Sequence, residues 1–155
     1  MTLLALAFCI GILAGLRTLS APTLVSWAAR LGLLHLDGSW AAFLGYRWTP
    51  WIFSLLALGE LVNDKLPTTP SRKIPPQFIA RVVSGSFAGA AIASAGGGLI
   101  GGLLAGALGA VVGTLAGAEC RRRLVQAIGG RDFPIALLED AIAYAGGAIL
   151  LKIFL

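Results

Sequence analysis

Apolar positions run along this chain in long blocks separated by a few charged residues, with little of the alternation that marks a half-buried strand. The longest block without an ionisable residue extends over 37 residues, from Val82 to Ala118. One membrane-crossing helix needs about 20 residues, so this block predicts two short crossings. Ser94-Ala95-Gly96-Gly97-Gly98 supplies the turn between them. Elsewhere the apolar blocks are cut short. Thr2 to Leu16 ends at Arg17, Leu19 to Ala29 at Arg30, Trp48 to Gly59 at Glu60, and Ala141 to Leu151 at Lys152. Helices made from these blocks must carry charge at depth or stop partway. The expected fold is all-α: a polytopic bundle of about five or six short or broken helices around a central glycine-rich hairpin, forming one transmembrane domain over residues 1–155. Residues 1–34 read either as one helix with an interfacial piece or as two half-helices meeting near Arg17 to Pro22.

Composition fixes the solvent of this bundle. Hydrophobic residues make up 57% of the chain before its 21 glycines are counted, against roughly 45–50% with glycine included in a soluble domain. A domain of 155 residues cannot enclose that much apolar surface in water. Lipid is the expected surrounding. The N-terminal block lacks the basic start of a cleavable signal and reads as a retained helix. Cys9 and Cys120 are expected to be free thiols.

The net charge of +5 gathers in two segments, one over residues 63–77 with Lys65, Arg72 and Lys73, the other over 119–132 with Arg121, Arg122, Arg123 and Arg131. The positive-inside rule makes both cytoplasmic, in a multi-pass protein of the bacterial inner membrane. The charge suits anionic headgroups and does not suggest a nucleic-acid partner. Trp40, Tyr46, Trp48 and Trp51 would then lie at the outer interface, where amphipathic rings settle. Pro67, Pro70, Pro75 and Pro76 predict a stiff, non-helical strap from Leu66 to Pro76.

Small residues predict how the helices meet. Gly98, Gly102, Gly106, Gly109, Gly113 and Gly117 lie three or four residues apart and form one stripe. Gly85 and Gly89 do the same, as do Gly11 and Gly15. Such stripes let backbones approach closely in lipid. They read as internal packing, as a seam between copies or as a close backbone approach to a permeating ion, and with so few helices a homo-oligomer is expected, a dimer first.

Candidate chemistry lies where charge interrupts the apolar blocks. Ser20 can cap a helix whose first turn holds Pro22; a helix restarting there would gather free N–H groups with Arg17, Thr18 and Ser20, the ingredients of an anion or carboxylate site. Glu60 and Asp64 share one helical face beside Asn63, and Glu139 and Asp140 are adjacent, with Tyr144 one turn on. Acidic groups at membrane depth face a cavity or a partner. They could hold a hydrated cation, relay protons, or pair with Arg17, Arg81 or Arg121 to Arg123 as structural ion pairs. Glu119 reads as a local partner of Arg122 and Arg123. Gly11-Ile-Leu-Ala-Gly15 is echoed by Gly113-Thr-Leu-Ala-Gly117, and Leu56-Ala-Leu-Gly-Glu60 by Ile135-Ala-Leu-Leu-Glu139. These echoes suggest an inverted repeat in which the first glycine segment runs outward and the second inward.

The stretches Ala14-Gly-Leu-Arg-Thr-Leu-Ser-Ala-Pro22, Leu58-Gly-Glu-Leu-Val-Asn-Asp-Lys-Leu-Pro67, Thr69-Pro-Ser-Arg72, Ile79-Ala-Arg-Val-Val-Ser-Gly85 and Leu137-Leu-Glu-Asp140 together resemble the small bacterial membrane proteins catalogued as domain of unknown function 4126. The resemblance implies a polytopic membrane protein and carries no reaction with it. Glu60 to Lys65 is also similar to the Glu-x-Gly-Asp-Lys/Arg motif of cation/proton exchangers, although one residue longer and without the glycine.

The function expected is a transporter or channel for a small ion or solute, with Arg17, Thr18, Ser20, Glu60, Asn63, Asp64, Glu139 and Asp140 at an intramembrane site. The alternative is a non-catalytic scaffold that binds partners or anionic lipid. Catalysis has little support: the one histidine, His35, stands beside Asp37, and no Cys-His, Ser-His or metal-ligand cluster occurs at useful spacing. No cofactor is expected.

Overall fold

A computed structural model describes residues 3–63, 74–130 and 132–155, and all the regular structure among them is helical. Helices α1 (Leu3–Leu16) and α2 (Ser20–Arg30) are followed by a 3-10 turn (Ala42–Gly45) and α3 (Thr49–Asn63). Next come α4 (Pro75–Ser94) and α5 (Leu99–Ala127). Helix α6 (Asp132–Ala141) passes through one π-turn (Ile142–Gly146) into α7 (Gly147–Phe154). Two rods, Leu99–Ala127 and Asp132–Phe154, are long and apolar enough to cross a membrane. Helix α1 is apolar but shorter.

The expected central hairpin is present as α4 and α5. Its turn needs glycine at Gly97, whose φ of 75° lies in the left-handed region, and the N–H groups of Gly96 and Gly98 both donate to the Ala93 carbonyl at 3.0 Å. Helix α1 lies against both arms. Gly106 sits at the crossing: a Cβ there would overlap the Gly85 carbonyl of α4, and one on Gly11 of α1 would overlap the Gly106 carbonyl. Gly89 and Gly102 meet in the same way across the hairpin, while Gly109 and Gly113 receive the carbonyls of Phe8 and Ile12. The part of the α5 stripe from Gly102 to Gly113 therefore packs internally, at the close range that lets Cα–H groups approach carbonyls.

Helix directions follow from these contacts. Leu4 lies by Gly101 and Gly15 by Thr114, so α1 runs parallel to α5. The two glycine segments proposed to run in opposite senses point the same way, contrary to the inverted-repeat expectation. The reason is that α1 does not continue past Arg17. Leu13 of α1 and Leu24 of α2 both touch Gly147, so α2 folds back beside α1 and the two form a hairpin with its tip at residues 17–19. This realises the half-helix alternative for residues 1–34. At about 1.5 Å per residue the two arms reach only some 21 and 16 Å, so the tip stops within the bundle.

Helix α2 returns towards the 95–98 turn, where the Trp40 indole donates to Ser94 Oγ at 2.9 Å and packs edge-on to Phe87. Helix α3 then runs back along α2, from the Trp27–Trp51 contact to the hairpin tip. Two boundaries differ from expectation. Pro75 and Pro76 open α4 instead of ending a strap, because the first turn of a helix has no use for their missing N–H groups; residues 66–73 lie outside the described ones. Residues 119–127 continue α5 rather than forming a loop, since Glu119 pairs with Arg122 and Arg123 along one helical face.

Candidate functional site

Breaking a helix inside a bundle strands carbonyls at one end and amides at the other. The tip at residues 17–19 has both kinds within three residues, and side chains from the surrounding helices satisfy them. The α1 end is held by Arg81, a 1% exposed residue of α4. Its Nη1 donates to the Gly15 carbonyl at 2.8 Å and to the Leu16 carbonyl at 2.6 Å. Thr114 Oγ1 of α5 also donates to the Gly15 carbonyl, at 3.3 Å. The α2 start is held by Glu60 of α3, whose two carboxylate oxygens accept from the N–H groups of Thr18 and Leu19 at 2.7 and 2.8 Å. Cation on the carbonyl end and anion on the amide end is the arrangement that both helix dipoles favour.

Ser20 does not cap α2. The capping position falls on Leu19 without a side-chain bond, and Ser20 Oγ turns back to donate to the carbonyls of Arg17 and Leu13 at 2.8 and 3.1 Å. Glu60 does the capping instead. Ser84 Oγ of α4 donates to the Thr18 carbonyl. Arg17, fully buried, reaches Asp140 of α6 with Nη2 2.5 Å from Oδ1. Five helices thus contribute side chains to three tip residues or to their immediate neighbours.

Of the residues expected at a site, Arg17, Thr18, Ser20, Glu60 and Asp140 converge on the tip. Asn63 ends α3 and shares a cavity of about 380 Å³ with Thr18, Leu19, Leu56, Gly59, Glu60 and Gln77. Asp64 lies outside the described residues. Glu139 goes elsewhere: it is a helical step of about 100° from Asp140 and accepts from Arg121 of α5 at 3.1 Å, while Arg121 also holds Asp132 at 2.6 Å. Among the described residues, Glu60, Asp140 and Glu139 therefore do not share one oxygen-lined cage. Among the described residues no three His, Cys, Asp or Glu side chains gather in a way that could hold a metal ion. The pairs Arg17–Asp140 and Arg121–Glu139 instead match the ion-pair alternative drawn from sequence.

Arg81 and Ser84 are absent from the expected site, although both are readable as polar residues one turn apart inside a mostly apolar helix. A second cavity, about 370 Å³, runs between α1, α5 and α6 and is apolar except where Arg121 and Glu139 meet. Cys9 and Cys120 are both free thiols.

Comparison with models of known protein families, with curated proteins and with solved structures finds no match to this chain.

Proposed function

We propose that the chain is a multi-pass integral membrane protein of the bacterial inner membrane, with residues 63–77 and 119–132 on the cytoplasmic side, and that it conducts or transports a small ion or solute through the cavity at the hairpin tip. The membrane setting is supported by the composition, by the two long apolar rods, and by the exposure of large apolar side chains along them, such as Ile100, Leu104, Leu108, Ile149 and Ile153. The resemblance to the small bacterial membrane family points the same way. An oligomer, with a dimer as the simplest, belongs to this reading.

The observation that carries the transport reading is the Glu60 carboxylate. It rests on the exposed amides of a half-length helix and lines a cavity of about 380 Å³. Short helices that end at depth put backbone groups where a permeating species can exchange with them, and an acidic side chain at that depth is costly unless it has such a role or a fixed partner. Reconstitution tests this directly. Proteoliposomes containing the wild-type protein should pass at least one of sodium, potassium, chloride or protons, and Glu60→Gln should abolish that flux while leaving the purified protein folded. Unchanged flux in the variant would remove Glu60 from the mechanism; no flux from the wild type to any of the four would remove small-ion conduction.

One observation favours a second reading, a non-catalytic scaffold. Glu60, Arg17, Asp140 and Arg81 all have partners within the chain, as a purely structural clamp would require. A scaffold would tolerate carboxamides at Glu60, Asp64, Glu139 and Asp140 without loss of its cellular role.

A further inference from the structure

We propose that the apolar groove between α1, α5 and α6 seats one acyl chain of an anionic phospholipid from the cytoplasmic leaflet, with the headgroup beside Arg121 and Arg123. This goes beyond the transport reading and rests only on the membrane setting proposed with it. Small residues of α5 make the groove. Gly113, Ala116 and Gly117 form its floor, and Ile12 of α1 and Leu138 of α6 stand on either side. Its volume of about 370 Å³ is that of a small-molecule site. Away from Arg121 and Glu139 the lining offers water almost nothing to bond, so the space suits a hydrocarbon.

The two ends are placed as a lipid needs them. Val112 lines one end, and Arg121 and Leu124 line the other. Between Val112 and Leu124 α5 rises about 18 Å. One leaflet supplies about 15 Å of a hydrocarbon core roughly 30 Å thick. The groove therefore runs from headgroup depth to the midplane, with its polar end on the side of the clustered arginines.

Charge at that end selects the headgroup. Arg121 is part of the groove wall and holds Asp132 at 2.6 Å and Glu139 at 3.1 Å. Arg123 follows the groove-lining Ala116 by seven residues, about two helical turns, and so continues the same face of α5. Its Nε donates to Glu119 Oε1 at 2.7 Å, yet its side chain is 75% exposed. Glu119 also serves Arg122, so one carboxylate balances two guanidinium groups. Residues 119–132 contain four arginines and two acids, and counting Glu139 still leaves positive charge in excess. Basic residues beside a groove between membrane helices on the cytoplasmic side favour an anionic headgroup over a zwitterionic one.

Native mass spectrometry of the full chain in detergent, titrated with phosphatidylglycerol or phosphatidylethanolamine of identical chains, reads the site. Wild type should bind one phosphatidylglycerol more tightly than the ethanolamine lipid. Arg123→Gln should weaken phosphatidylglycerol about five-fold, the effect of one basic residue near an anionic surface, and leave the other lipid unchanged. Ala116→Phe fills the groove from α5 and Leu138→Trp fills it from α6, so each should lose the bound lipid. Both positions are exposed, and circular dichroism should show the helices intact. Ile100→Phe, exposed on α5 outside the groove, should bind as wild type does. The inference is overturned if both filled variants bind phosphatidylglycerol like wild type, or if the two lipids bind wild type equally. A lipid-free dimer that the filled variants turn into monomer would also overturn it, since a second copy would then occupy the groove. Protein recovered in the soluble fraction would remove the membrane setting itself, whereas membrane-embedded protein that binds no phosphatidylglycerol removes this inference alone.

Discussion

Arg17 and Asp140 lie near opposite ends of the sequence, yet they form an ion pair at 2.5 Å with the arginine side chain 1% and the aspartate 13% exposed. A charge so enclosed depends on its partner. Breaking a buried pair from one side leaves the other charge desolvated, at a cost of about 3–5 kcal/mol, whereas replacing both by apolar groups of similar volume is often neutral. Arg17→Met and Asp140→Leu should each lower the thermal stability of the purified protein, and the double variant should recover most of the loss. A double variant as unstable as the sum of the singles would mean that the two residues act independently.

Arg81 poses a different question, because its partners are backbone carbonyls. Arg81→Met keeps much of the side-chain length but removes the Nη1 that serves both carbonyls, leaving Leu16 without this donor and Gly15 with the longer Thr114 bond. A carbonyl so deprived costs about 1–3 kcal/mol, so the variant should be among the least stable single substitutions in the chain. Arg81→Lys should fall between, since an ammonium can serve a carbonyl but lacks the guanidinium's planar spread. Chemical denaturation in detergent measures both. Equal stability of Arg81→Met and wild type would contradict the capping role.

The glycine crossing predicts a sharp contrast between glycines that look alike in sequence. Gly106→Ala drives a methyl into the Gly85 backbone and Gly11→Ala drives one into Gly106, so α1, α4 and α5 must separate. Overpacking of this kind typically costs about 1–3 kcal/mol or more. Gly146 has open space around it and helical backbone angles, so Gly146→Ala should be neutral or stabilising by about 0.4–1 kcal/mol, through a less flexible unfolded chain. Melting temperatures of the three variants in one detergent check the contrast.

Parts of this architecture were readable from residue types alone, for identifiable reasons. The stripe from Gly102 to Gly113 signals close approach because no other residue permits it. The break near Arg17 was visible because a charge followed by Pro22 cannot continue an apolar helix. What pattern could not supply was pairing across long separations. Ser20 has the right chemistry to cap α2, but Glu60, on another helix, reaches the amides instead. Glu139 and Asp140 are neighbours in sequence, and helical rotation sends one to Arg121 and the other to Arg17. The direction of α1 was misread because an apolar block that could cross gives no sign of turning back unless the burial of its end is known. From sequence Arg81 reads only as a possible counter-ion, since the local pattern does not indicate that it serves backbone carbonyls.

Helix directions convert into a topology that labelling can check. The α1 start, the α2 end and the 95–98 turn lie at one end of the bundle: Leu3 approaches Gly96, and Trp40 bonds Ser94. The turn after α5, with Gly129 and Gly130 both at positive φ, lies at the other. If α5 and the Asp132–Phe154 rod both cross, single cysteines at His35 and Ala95 should react with an impermeant maleimide from one side of the membrane and a cysteine at Ile128 only from the other, in a background lacking Cys9 and Cys120. In the orientation proposed above, the clustered arginines before Ile128 put that side in the cytoplasm. The measurement separates two arrangements that composition alone allows. If residues 3–30 were one continuous crossing, His35 would lie across the membrane from the N-terminus, so a cysteine at Leu4 would label from the face opposite to His35. A folded-back hairpin puts both on the same face, and labelling of Leu4 and His35 from opposite faces would exclude it.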